Sequence, residues 1–199
     1  SLDYKNEKGI RVSANYLFDE FVIDKSQKNE GKGHGNAYSV KFLYSNLNNP
    51  NMLSSIYLSI ISIGSNTFKH EDGKNNFVHR NKPLGWENGS DSREIKIGLN
   101  AISKIEKFYV NLETGRIEIG EKNIINSQSL YDGYNDYLST KFPSGNVRVK
   151  YFNKCEIQLW LKPYFSLNSE IKFSRYSKTK FDKEFKIGFD AFLPILKKI

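Results

Sequence analysis

Apolar and polar side chains alternate along most of this chain, and helical spacing is scarce. In NAYSVKFLYSN, Tyr38, Val40, Phe42 and Tyr44 share one face while Ser39, Lys41 and Ser45 share the other. Successive side chains of a strand project to opposite faces, so this is a strand with one apolar side. The same pattern recurs in MLSSIYLSIISIG, where Ile61 and Ile63 blur it, and in REIKIGLN, KFYVNLE, SEIKFSRYSK and EFKIGFDAF. The longest alternation, NVRVKYFNKCEIQLWLKP, reads as one strand longer than a compact soluble sandwich uses, with a hairpin at Asn153 and Lys154 as the alternative. GIRVSANYLFDEFVID at the front brings the count to eight strands. There Val12, Ala14, Tyr16 and Phe18 share a face that Glu20 and Asp24 would interrupt, so a β-bulge near Asp19 is expected to turn both carboxylates to the polar side.

The connections alternate in length. Residues 46–52, 101–105 and 163–168 are tight turns, whereas 24–35, 65–92 and 116–145 are long and polar; 177–182, at the long end by parity, is the short exception. Short turns at one end and long loops at the other are the habit of outer-membrane barrels. Alternation itself does not say which way the apolar side looks. In a soluble barrel or sandwich it packs inward; in a membrane barrel it meets lipid and the charges line the interior. Strand length, loop asymmetry and tyrosines near strand ends (Tyr16, Tyr38, Tyr44, Tyr151 and Tyr164) favour lipid, through the aromatic belts at membrane interfaces. The expected fold is therefore all-β, an antiparallel up-and-down transmembrane β-barrel with about eight strands in this chain. Residues 1–199 would form one domain, or the C-terminal fragment of a larger barrel. Glu20, Asp24, Glu94, Lys96, Glu113, Arg148 and Lys150 are expected to face its wet interior and to pair across strands.

Composition adds a net charge of +8, with 12 Tyr and 14 Phe despite a mean hydropathy of −0.58. That charge favours an anionic partner: nucleic acid, an anionic lipid surface or an acidic polysaccharide. The cations are spread through strands instead of forming a stripe with stacking aromatics, which argues against nucleic acid. The single cysteine, Cys155, allows no internal disulfide. No run of about 18 apolar residues exists to make a spanning helix. The start, SLDYKNEKGI, lacks Met and a signal-peptide apolar segment, as expected of a mature form or of a piece of something longer.

The candidate chemistry lies in loops. In FVHRNKPLGWENGSDS, Pro83, Gly85, Gly89 and Asp91 are loop-shaping residues, with glycine supplying positive φ and Asp91 capping a turn. Around them stand His70, His79, Arg80, Lys82, Trp86 and Arg93, a set able to bind polysaccharide: an aromatic face stacks on sugar C–H groups and cations take uronate carboxylates. The same loop could instead fold inward as a plug. A second set, Tyr131, Tyr134 and Tyr137, has a three-residue spacing that suggests a short helix with an aromatic stripe, either packed against the protein or, through Tyr131 and Tyr134, binding polysaccharide. All three histidines fall in loops outside any nucleophile, zinc or base motif, so no enzyme activity, metal or cofactor is expected.

In order along the chain, LFDEFVID, AYSVKFLYSN, NTFKH and NFVHRNKPLGWENGSDS together resemble the capsule-assembly outer-membrane β-barrels of the Wzi type. Members carry an acidic EF.ID strand end, an aromatic-x-His element and a PLG...G.DSD loop. Here these correspond to Glu20, Phe21, Ile23 and Asp24, to Phe68 and His70, and to Pro83, Leu84, Gly85, Gly89, Asp91 and Ser92. Trp86 stands where the family has His, and Arg93 replaces the second acidic residue. Family barrels are longer, so the resemblance implies the C-terminal portion of one, although FDAFLPILKKI does not end on the aromatic residue of outer-membrane insertion signals. It further implies a monomeric, non-catalytic, lectin-like barrel of the bacterial outer membrane. Its partners would be an acidic surface polysaccharide, which it helps attach or assemble, and outer-membrane lipid, with no nucleic acid.

Overall fold

The computed structural model of the chain describes residues 1–46, 48–69, 77–80, 82–103, 105, 107–125, 141–162, 164–177 and 181–191, with Glu20 described in its backbone alone. The strands are β1 (Leu2–Lys5), β2 (Ile10–Glu20), β3 (Gly35–Asn46), β4 (Met52–Ile63), β5 (Val78–His79), β6 (Lys82–Pro83), β7 (Ser92–Ser103), β8 (Phe108–Ile119), β9 (Arg148–Lys162), β10 (Phe165–Tyr176) and β11 (Phe181–Ala191). A short helix, α1 (Lys25–Asn29), lies between β2 and β3. Nine strands form one antiparallel sheet in the order β1-β2-β3-β4-β7-β8-β9-β10-β11, and β5 pairs with β6 as a separate two-stranded unit. The fold is thus all-β and up-and-down, as the alternation predicts.

Several expectations need correcting. Among the described residues the sheet holds nine strands, one more than the eight that alternation marks, because β1 is too short for alternation to reveal it and pairs with β2 from Leu2↔Ala14 to Lys5↔Arg11. Among the described residues the sheet is open, not a closed barrel: β1 pairs only with β2, and β11 only with β10. β8 continues to Ile119, past the point where a loop was expected at residue 116, because Arg116 and Glu118 put charges on the otherwise apolar parity. The predicted bulge is present, with the β2–β3 register shifting between Phe18 and Glu20. Residues 148–162 form one unbroken strand, with Asn153 paired to Thr114 on one side and Phe173 on the other.

The two faces invert the usual order of a soluble protein. Ile95 is 46% exposed and Leu159 40%, and along β11 Phe185, Ile187 and Phe189 each exceed 60%. The polar face is the covered one, where Tyr57 is 6% exposed and the buried apolar cluster is Ile117, Ile119 and Phe152. Ile63, at the long-loop end of β4, is also buried, which explains why an apolar residue departs from the alternation there. Two glycines on the polar face are roofed by aromatic rings of the adjacent strand, Gly98 by Tyr57 and Gly115 by Phe152; a Cβ at Gly98 would lie 2.3 Å from the Tyr57 ring.

Register reveals how the apolar band runs. One row of paired positions on the outward face reads Ala14, Val40, Ile60, Ile95, Arg116, Tyr151, Arg175, Phe181. On β2 that row crosses the middle of the apolar run from Ile10 to Phe18. On β8 it passes above the run, which spans Phe108 to Leu112, and on β11 it lies clear of Phe185 to Phe189. The band therefore slips along the strands by about one residue per strand step. With a rise of ~3.3 Å and a strand spacing of ~4.8 Å, that is an obliquity of about 35°, at the low edge of the strand tilt in membrane barrels, roughly 35–45°.

Candidate functional site

Four polar segments meet at the long-loop end of the sheet, and their centre is Asp91. It is fully buried with φ of +54°. Its Oδ1 accepts from the Ser65 hydroxyl at 2.6 Å and from the Ser144 N–H at 3.0 Å, while Oδ2 accepts from the Ser144 hydroxyl. Its own N–H donates to the Gly64 carbonyl at 3.2 Å, and its carbonyl accepts from Gly120 N–H at 2.8 Å. The loop after β4 and the segment before β9 are thereby tied to one carboxyl group, and the loop after β8 to the backbone carbonyl of the same residue, so that this buried polar side chain has its partners. Gly120 is required beside it: a Cβ there would fall 2.1 Å from Asp91 Oδ2. Buried Asn123 adds a second tie, donating to the carbonyls of Asn88 at 2.7 Å and Ser90 at 2.6 Å. Asp91 was expected to cap a turn; it holds three segments together.

Against this base stands the β5–β6 hairpin. His79 pairs with Lys82, Arg80 occupies its turn with φ of +48°, and all three are exposed. Pro83 pairs with Val78 in the same hairpin. Trp86 is half-buried at its base, with its carbonyl accepting from Gly89 N–H at 3.0 Å. Gly85 and Gly89 have the positive φ expected of them, +101° and +68°. Beyond Trp86 the chain turns over the polar face, so that Glu87 and Asn88 line the cavity there. The loop thus carries a cationic tip on the outside and sends Glu87 and Asn88 to the cavity wall. Arg93 stands apart from the tip: it lies on the outward face of β7 and pairs with Glu118. His70, Tyr131, Tyr134 and Tyr137 lie outside the described residues.

The covered cavity is about 450 Å³ and collects side chains from β7 to β11. Four of the interior charges, Glu94, Lys96, Glu113 and Lys150, line it. Lys96 lies 3.7 Å from Glu94 and 3.6 Å from Glu113, Glu113 also accepts from the Tyr57 hydroxyl, and the Lys150 ammonium sits 5.6 Å from the Tyr176 ring centre. Lys154 lies 2.8 Å from Glu170, which lies 3.1 Å from Lys186. Arg148 shares the inward parity but is exposed at the rim. Asp24 is not an interior charge: its side chain caps α1, accepting from Ser26 N–H at 2.9 Å.

A neighbouring cavity of about 440 Å³ opens at the same end, lined by Lys28, Lys32, His34, Asn66 and Phe142 among others. His34 Nδ1 accepts from Val22 N–H at 3.2 Å, which leaves Nε2 to carry the ring proton. Sequence reasoning missed this basin because its walls come from loops far apart in the chain. Among the described residues no three His, Cys, Asp or Glu side chains gather as a metal site would need. Among the described residues no helix is long and apolar enough to cross a membrane. Compared with known proteins, no family model, no curated protein and no solved structure matches the chain.

Proposed function

We propose that this chain is part of an outer-membrane β-barrel whose long-loop end holds an acidic surface polysaccharide without chemically altering it. The observation that carries the reading is the outward apolar band, uncovered on β2 to β4 and β7 to β11 and oblique to the strand pairing. Soluble monomers rarely expose contiguous apolar patches beyond a few hundred Å², and larger ones mark a protein or membrane contact; hydrocarbon is a surrounding in which a face spanning eight strands is favourable. Tyr16, Tyr38, Tyr44, Tyr151 and Tyr164 are all on the exposed side, as interfacial tyrosines would be. The open edges then await further strands, since an unpaired edge is intolerable in lipid.

Polysaccharide is supported by the chemistry of the mouth. Arg80 and Lys82 at the hairpin tip, Trp86 at its base and the Lys28–His34 basin offer cations and an aromatic face at the end bearing the long loops. The test has two parts. Membrane-extracted protein should need detergent and should run differently on a denaturing gel before and after boiling. Cys155, in the middle of the band, should resist a charged maleimide in vesicles and react once denatured. Replacing Arg80, Lys82 and Trp86 together with Ala should leave the unboiled band unchanged and lower binding of polygalacturonate about tenfold, an effect of charge-assisted contacts. A chain that stays in solution without detergent would defeat the membrane reading; undiminished binding by the triple variant would defeat the hairpin as the glycan contact.

A further inference from the structure

The outward face also carries cations, and among the described residues they gather at one border. On β7, Arg93 is the next outward residue above Ile95; on β10, Arg175 follows Phe173; on β11, Lys183 follows Phe185. On β8, Arg116 stands above Leu112 with only Thr114 between. All four lie at the long-loop border of the apolar band, two on β7 and β8 and two on β10 and β11, with β9 between the pairs. At the short-turn border the outward positions Met52, Ser103, Phe165 and Ala191 are uncharged, and Lys162, paired with Phe165 across the irregularity next to the β9–β10 turn, is a single cation there.

This border is organised. Glu118, 8% exposed in its side chain, accepts from both Arg93 Nε and Arg116 Nη2, yet the arginines remain 50% and 43% exposed. One carboxylate therefore orients two guanidinium groups and leaves each with N–H donors facing outward. Arg116 and Arg175 flank Tyr151 as direct strand neighbours, and the Arg175 guanidinium lies 5.3 Å from the Phe181 ring centre. Three arginines and a lysine against one glutamate give a patch of about three positive charges continuous with an apolar surface.

We propose that this patch binds the phosphate headgroup of an anionic membrane lipid, whose acyl chains lie on the band between β7 and β11. The proposal rests on the membrane reading above. Arginine suits it because a planar guanidinium takes phosphate bidentately and is only weakly hydrated, so it tolerates the interface where a lysine would withdraw. Free inorganic phosphate would lack the acyl contribution and bind weakly.

The test is native mass spectrometry of the full chain released from detergent micelles containing equal amounts of phosphatidic acid and phosphatidylcholine. Phosphatidic acid should be retained preferentially, and inorganic phosphate should not displace it. The R93Q/R116Q/R175Q variant should lower that retention about fivefold, whereas Lys150→Gln, on the inward face, should not. If the triple variant fails to fold, Arg175→Gln alone, which leaves the Glu118 cluster intact, should still lower it. Equal retention of both lipids by protein that shows the unboiled gel shift would overturn the headgroup site and leave the membrane reading standing. Loss of the gel shift itself would overturn both, and displacement by inorganic phosphate would reduce the site to an anion contact without a lipid.

Discussion

The two faces of this sheet are built from the same strands and obey opposite rules. Outward, Ile95, Ile157 and Leu159 are apolar and uncovered; inward, Tyr57, Glu94 and Glu113 are polar and shielded. In water the first face would be a liability and the second an expense, since buried polar groups need partners. In lipid both become favourable: hydrocarbon accepts the band, and the polar side supplies its own partners across strands, as Lys96 does with two glutamates. The difference teaches that burial alone does not identify a core. What matters is which solvent each face meets.

The sharpest way to break this comparison is a charge in the band. Ile157→Arg, flanked by Val110 and Ser169 on the outward face, should lower folding stability in vesicles by about 2–4 kcal/mol, as charges do near the bilayer midplane. A sheet whose outward face met water would change by no more than ~0.5 kcal/mol, and urea titration in vesicles separates the two. Next in size, Asp91→Ala strands the Ser65 and Ser144 donors in a buried site and should cost about 2–3 kcal/mol. The temperature at which the unboiled band is lost would report it, with Asp91→Asn falling between. Gly98→Ala should displace the Tyr57 ring and cost about 1–2 kcal/mol, read by the same titration; no change would mean that the ring does not roof that glycine. Smallest of all, Glu113→Gln keeps an acceptor for the Tyr57 hydroxyl but removes the charge facing Lys96. A loss of about 1 kcal/mol that shrinks in high salt is expected.

Much of this was legible along the chain. Period two marked every main strand except β1, whose four residues are too few for a pattern, and the interruption after Phe18 marked the bulge. Positive φ was readable from Gly85 and Gly89. The hub was not readable, because Ser65, Asp91 and Ser144 are separated by long loops and nothing local says that one carboxylate joins them. Asp24 was misjudged for the same reason: parity was extended past the end of β2, where the side chain turns to cap α1. Arg93 was grouped with its loop by nearness in sequence, although parity already placed it with Ile95 and Ile97.

Alternation by itself determined that this chain makes a sheet with one apolar and one polar side, because the side-chain period of a strand is two whatever surrounds it. Only the tertiary structure decided that the apolar side is the uncovered one, how far the band slips from strand to strand, and which distant loops share Asp91. Those depend on register and curvature, which are set by pairings between residues far apart in the sequence.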